Sequence, residues 1–190
     1  MAMCGGVGLM LTPENLINFS KAGMLNAEGR CFTFDSRANG YVRGEGAGMI
    51  CVKRLSDALE DGDEPIAVIR GSCVNQDGRS SGLTAPNGPS QERCIRTALE
   101  NGNLKPHEVG YVEAHGTGTS LGDPIEAIAV GTVLKEGREP GHRFVLGSAK
   151  TNLGHLEAAA GISGLIKVCM VVQKGKIPPH LNWESFNPMI

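Results

Sequence analysis

Two stretches of this sequence hold side chains that could do chemistry together. One runs Val112-Glu113-Ala114-His115-Gly116-Thr117-Gly118-Thr119, the other Ser148-Ala149-Lys150-Thr151-Asn152-Leu153-Gly154-His155. Each reads as a strand followed by a turn, and each sets a histidine just past the strand's end, where α/β folds gather their sites. One histidine at such a junction can be a satisfied structural residue. Two in matching contexts, both beside glycines and hydroxyls, point to a shared site. Imidazole changes charge near neutrality, so it can donate a hydrogen bond, take a proton or bind a metal. Metal binding finds little support. His155-Leu156-Glu157 matches the H-x-E of zinc deaminases, but no PCxxC follows it. Gly44-Glu45-Gly46-Ala47-Gly48 looks like part of a dinucleotide fingerprint, yet it precedes a strand rather than a helix, which argues against a nucleotide role. His107, His142 and His180 fall in polar or proline-rich loops and are expected to be solvated.

The elements that must position the two histidines alternate along the chain. Strands are predicted over 1–11, 48–54, 65–74, 109–114 and 143–149. Helices are predicted over 15–22, from a Ser56 cap to about Glu60, from a Ser90 N-cap to Asn101 with Gly102 as stop, from Pro124 to about Lys135, and from near Asn152 to about Gln173. A polar surface loop is expected over 75–88. Strand and helix alternating in this way indicate an α/β fold with layered packing. The last helix is apolar or small nearly all round from Ala158 to Val172, the pattern of a helix buried on every side. A central helix between two sheets follows from that reading.

Composition narrows the function classes. The chain has 190 residues, 41% hydrophobic and 20% charged, with a net charge of −2. A nucleic-acid or anionic-membrane surface has no support from that charge. The longest apolar stretch, near Ile162 to Val172, is interrupted by Lys167 and is too short to span a bilayer. No basic residue precedes the short apolar opening segment, so no signal peptide is expected and a cytoplasmic setting is. The six cysteines show no CxxC spacing and are expected to be buried free thiols rather than disulfides or zinc ligands. The 27 glycines form no repeat, and their spread through strand–turn–helix junctions suggests tight backbone approaches near a site. The chain opens on a strand and closes on a loop, as an excerpt from a larger domain would.

The stretches VEAHGTGTSLGDPIEA and SAKTNLGHLEAAAGISGLIKV resemble the two histidine motifs of β-ketoacyl synthases, with the closest likeness to ketosynthase domains of type I polyketide synthases and related fatty-acid synthases. GGVGLMLTPE and FDSRANGYVRGEGAGMICVKRL extend the resemblance over nearly the whole chain. It implies a thiolase-like fold of five alternating layers, α-β-α-β-α, here incomplete, with 1–60 as the end of the N-terminal half and 61–190 as most of the C-terminal half. It also implies an acyltransferase reaction, the decarboxylative Claisen condensation of an acyl thioester with a malonyl thioester. The malonyl group is carried on the phosphopantetheine of an acyl carrier protein, no cofactor is bound directly, and the complete domain is expected to be a homodimer. In this scheme His115 and His155 are neutral donors to the charge that develops on the thioester oxygen. His155 is expected at a helix N-terminus, whose dipole disfavours imidazolium. Lys150 and Glu126 match a buried charged network behind the histidines, with a direct Lys150–Glu126 interaction expected. Thr117 and Thr119 match the hydroxyls that hold the pantetheine arm.

Two parts of the family pattern have no match here. The nucleophilic Cys-Ser-Ser type motif belongs upstream of GGVGLMLTP, and Cys4 does not replace it. The C-terminal Gly-Phe-Gly-Gly type loop is the other. Isolated activity is therefore not expected, and a non-catalytic binding or scaffolding role stands as the alternative. An unrelated Cys–His hydrolase using Cys73 or Cys94 is a third reading, which distance between the sulfurs and the histidines would end.

Overall fold

Two small sheets and the helix between them carry the architecture. The computed structural model describes residues 1–80, 82 and 85–190. β1 (Ala2–Gly8) pairs antiparallel with β2 (Gly46–Val52), from Ala2 opposite Val52 to Gly8 opposite Gly46. β3 (Tyr111–Glu113) pairs in parallel with β4 (Val145–Gly147), Val112 lying opposite Leu146. Between the two sheets lies α6 (Ala160–Lys174). On one side its Ile162 and Ile166 press on Gly48, where an added Cβ would sit 2.9 Å from Ile166 Cδ1. On the other, Gly164 lets Glu113 come close. The remaining helices are α1 (Glu14–Lys21), α2 (Leu55–Glu60), α3 (Gly88–Asn101), α4 (Gly122–Leu134) and the single turn α5 (Lys150–Leu153).

Successive strand residues point to opposite faces, and β3 uses both. Val112 turns with Leu146 toward α4, where Val130, Val133 and Leu134 form a buried core with Ile95, Leu99, Val109 and Phe144. Fully burying each such side chain stabilises the fold by roughly 1.5–3 kcal/mol. Tyr111 and Glu113 turn the other way, toward α6. The Glu113 carboxylate accepts the Tyr111 hydroxyl and the Ala149 N–H and pairs with Lys167 Nζ at 2.7 Å. The order of layers is thus sheet, helix, sheet, helix pair.

The C-terminal segment is pinned by a fully buried carboxylate. Asp35 accepts the Arg37 Nε at 2.7 Å and the backbone N–H groups of Glu184 at 2.6 Å and Ser185 at 3.1 Å. Burial opposes ionisation, but Arg37 and these N–H donors overcome it and hold the carboxyl well below the usual carboxylate range. This places His180 over Phe34, with Nε2 at 3.1 Å from Thr33 O. His180 is therefore packed rather than solvated, because the tail folds back onto the Phe32–Asp35 loop.

Several other expectations are corrected. Residues 65–74 form no ladder with any described strand; their carbonyls at Ser72 and Cys73 accept instead from Asn101 and Cys94 of α3. Ile66, Val68, Ile69 and Val74 of this stretch are exposed. The predicted helix from Asn152 to Gln173 is broken by Gly154 and His155, and α6 is covered on two sides only, leaving Met170 and Val172 exposed. Ser56 does not cap α2, since its hydroxyl meets Asp57; Asn87 rather than Ser90 caps α3 by accepting the Ser90 N–H at 3.1 Å. Among the cysteines only Cys31 is buried, while Cys4 and Cys51 are exposed on the β1–β2 sheet. Ser81, Leu83 and Thr84 of the expected 75–88 loop lie outside the described residues. No described helix is long and apolar enough to cross a membrane.

The outer face of β1 and β2 exposes Met3, Val7 and Met49, close to open strand edges. Exposed apolar sheet surface drives association. Expressed alone, the 190-residue chain should elute from a sizing column as aggregate. A monomer with a sharp cooperative melt would contradict this.

Candidate active site

His155 is held by its backbone before its ring is considered. Its N–H donates to Val42 O at 2.7 Å, and its carbonyl accepts the Gly44 N–H at 2.9 Å, a single parallel bridge to Arg43. The chain enters this bridge from α5 through Gly154 at φ +73°, where a Cβ would lie 3.0 Å from Val42 O; glycine meets both demands. Neighbouring backbone comes as close. A Cβ at Gly44 would sit 2.2 Å from Leu153 O, and one at Gly8 would sit 2.3 Å from Leu156 O. After His155 the chain makes a 3₁₀ turn, Glu157–Ala159, that leads into α6.

The first N–H of that turn sets the tautomer. Glu157 N–H donates to His155 Nδ1 at 2.9 Å, so in the neutral ring the proton resides on Nε2, which is left as a donor. Glu157 has φ +51°, a left-handed conformation that costs a side-chain-bearing residue about 1–2 kcal/mol. Arg43 holds it there through two parallel bonds of 2.7 and 2.8 Å to the Glu157 carboxylate, while its guanidinium lies over the Phe19 ring. The part that Arg43 and Glu157 play is not readable from the sequence. Only the left-handed turn and the bridge reveal it, and no short motif encodes those.

His115 is held by a carboxylate. The N–H groups of His115 and Gly116 donate to the two oxygens of Glu126 at 2.6 and 2.7 Å. Ser148 Oγ and Thr33 Oγ1 donate to the carbonyls of this turn, Thr33 to Gly116 O at 2.7 Å. Asp123 completes it, accepting the Gly118 N–H at 3.0 Å and the Phe34 N–H at 2.7 Å. The His115 and His155 rings stand edge to face with centroids 5.2 Å apart. Tyr41 also packs against His155, with centroids 5.2 Å apart.

The expected Lys150–Glu126 contact is absent from the described ion pairs and hydrogen bonds. Glu126 spends both oxygens on the turn, so Lys150 acts on the site through space. Lys150 is itself buried, and burial lowers its pKa against the pull of Glu126 and Glu113. Burial raises Glu126, with the two N–H donors opposing. The His115 ring opens on a cavity and counts as exposed to it, but protein surrounds its other sides. That enclosure, then Lys150 and His155, pushes the His115 pKa down to about 4. Burial followed by Lys150 does the same for His155, also to about 4. Both rings are neutral at pH 7.

The cavity that the two rings share has a volume of about 740 Å³. Thr117 and Thr119 line it with their hydroxyls 3.4 Å apart, and Asp77, Pro86 and Gln91 close another side. None of its described lining residues is a cysteine, which counts against the Cys–His hydrolase reading. No described cluster of His, Cys, Asp and Glu has a metal-binding arrangement.

Comparison with known proteins agrees with this geometry. The model of the beta-ketoacyl synthase C-terminal domain matches residues 66–184, and that of the N-terminal domain matches residues 1–58. One polypeptide of the phenolphthiocerol/phthiocerol polyketide synthase of Mycobacterium tuberculosis is 55% identical over 190 residues, all of this chain and 10% of that relative. Another polypeptide of the same synthase is 53% identical over the same 190 residues, 12% of its length. Among solved structures, the ketosynthase from module 6 of the bacillaene synthase of Bacillus subtilis superposes with a TM-score of 0.96 at 44% identity, over all of this chain and 34% of that one. An oxazolomycin ketosynthase domain from Streptomyces albus gives 0.95 at 40% identity, covering 33% of that chain. This chain therefore spans about a tenth of the curated relatives and a third of the solved domains, whose thiolase-like fold it shares. Its paired histidines, its layering and both family models converge: the chain belongs to the β-ketoacyl synthase family.

Proposed function

We propose that this chain supplies the enolate-forming half of a ketosynthase site in polyketide assembly. The substrate in this reading is a malonyl thioester borne on the phosphopantetheine arm of an acyl carrier protein. The observation that carries the proposal is the pair of neutral imidazoles 5.2 Å apart, with the Nε2 proton of His155 fixed by the bond to Nδ1. When the malonyl C–C bond breaks and carbon dioxide leaves, its electron pair delocalises onto the thioester oxygen as an enolate. N–H donors aimed at that oxygen stabilise the charge as it appears. The carbanionic carbon then attacks an acyl thioester carbonyl, a new C–C bond forms, and the thiolate of that acyl group is expelled.

The remaining residues serve this step by position and charge. Burial of the rings, and after it the charge of Lys150, disfavours imidazolium, so both rings stay donors. Glu126 fixes the turn that aims His115. Thr117 and Thr119 fit the polar groups of the pantetheine arm, since both line the cavity with hydroxyls. The Thr119 oxygen accepts from the Gly122 N–H at 3.2 Å and retains its own proton to donate.

The test uses the full-length synthase and follows carbon dioxide release from malonyl-carrier protein. His155→Ala and His115→Ala should each lower that rate by about 10²–10³. A wild-type rate in either variant removes the ring from the mechanism, and the scaffolding alternative gains if no rate is found in the parent. Arg43→Met should reduce the rate by a smaller factor at unchanged substrate affinity and shift the His155 ring resonances, because the turn that fixes its tautomer loosens.

The pH dependence follows from the lowered pKa values. Folded-state values near 4, against 6.5 for the free side chain, mean that the unfolded chain takes up more protons between those limits. The stabilisation from these rings is complete above pH 6.5 and is lost as pH falls toward 4. Nitrogen-15 spectra of labelled histidine should show both rings neutral at pH 6. An imidazolium signal from His155 at that pH would contradict the donor role.

A further inference from the structure

Cys73 and Cys94 lie together outside the lining of the histidine cavity. Residues 70–75 run extended along α3 and are tied to it at both ends. Arg70 donates to Gly102 O at 3.2 Å, Asn101 Nδ2 to Ser72 O at 2.9 Å and Asn75 Nδ2 to Ser90 O at 2.8 Å. An extended chain advances about 3.3 Å per residue and a helix about 1.5 Å, so the five steps from Arg70 to Asn75 match the twelve from Gly102 back to Ser90. This register sets Cys73 against Cys94, and Cys94 Sγ lies 3.5 Å from Cys73 O. Both thiols are half-buried, and neither lines the cavity of the paired rings. Burial raises the Cys94 thiol, and the Cys73 thiol hydrogen-bonded beside it raises it further.

We propose that Cys73 and Cys94 form a vicinal dithiol that closes to a disulfide on reaction with a low-molecular-weight disulfide. The Cys73 thiolate attacks one sulfur of the reagent, which leaves one thiol and a mixed disulfide. Cys94 then displaces the second thiol and closes the ring. Two S–H bonds are lost, one S–S bond forms, and two electrons leave with the reagent as its two thiols. The two cysteines of the β1–β2 sheet are not placed in this way. Cys4 pairs with Ile50 and Cys51 with Met3, so those two thiols project from opposite faces of their sheet. The bridge would staple the ends of a loop whose Asp77, Ala85 and Pro86, with Gln91 of α3, wall the histidine cavity. The thiol state of this pair would therefore bear on access to the cavity, whatever reaction takes place there.

The full-length polypeptide, folded, is incubated with oxidised glutathione, alkylated and digested with trypsin, which cuts after Arg70, Arg79, Arg93 and Arg96. The expected product is peptide 71–79 joined to peptide 94–96, lighter by two hydrogens than the separate pair, with alkylation lost at both cysteines together. Cys94→Ser should convert this product to a glutathione adduct on Cys73, with no cross-link. Denaturing the protein in urea before oxidation should scatter the pairing among the other cysteines. Full alkylation of both residues after oxidation, or linkage of Cys73 to a cysteine other than Cys94 in the folded protein, overturns the proposal.

Discussion

A single largely enclosed carboxylate, Glu113, is the reference point from which both histidines are set. It sits on β3, two residues before His115, and accepts the N–H of Ala149, where the chain turns into α5 toward His155. Through Lys167 it fastens the middle helix to the same strand, and Gly164 makes room for it. A buried charge of this kind is stable only with partners, and removing one partner leaves a cost of about 3–5 kcal/mol. The Tyr111 hydroxyl supplies a further bond, and Glu113 raises the Tyr111 pKa beyond what burial alone would do. One side chain thus locates a strand, a helix and a turn relative to one another.

The site divides its electrostatic work between two carboxylates and a lysine that never touch. Glu126 acts on backbone N–H groups and so governs direction. Lys150 acts through space and adds its charge to the burial that already keeps both imidazoles neutral, where a direct ion pair would have quenched its field. Asp123 binds the turn after His115 to the Phe32–Asp35 loop, and Asp35 in turn anchors residues 184 and 185. The histidine turn is thereby tied to two distant segments, 33–34 and 148, and the first of these adjoins the anchor of the C-terminal tail.

What the sequence made legible and what it hid have the same physical origin. The histidine motifs, the strands that precede them and the helix between two sheets were readable because apolar period and glycine position are local properties. The turn at Gly154 was not, since it depends on a backbone bridge from His155 to residues more than a hundred positions away. The stretch 65–74 has the composition of a strand, but a strand also needs a partner, and here α3 takes the carbonyls of Ser72 and Cys73. His180 looked solvated in a Pro-Pro-His loop until the tail's anchorage on Asp35 placed it against Phe34. Lys150 and Glu126 were expected in contact with each other, and their separation was hidden because nothing in the sequence told of the two N–H groups competing for the carboxylate.

The close approach of Gly8 and Gly44 to the carbonyls of Leu156 and Leu153 has a consequence for how this protein tolerates change. Those carbonyls flank His155 on either side, so the steric limit at two glycines fixes the height of an imidazole neither of them bonds. A methyl group at either position has nowhere to go except into the backbone that bears the ring. Residues with no reactive atom therefore belong to the functional inventory of the site, and a variant at position 8, more than a hundred residues from either histidine in sequence, would present itself as a defect in chemistry while leaving every polar group in place.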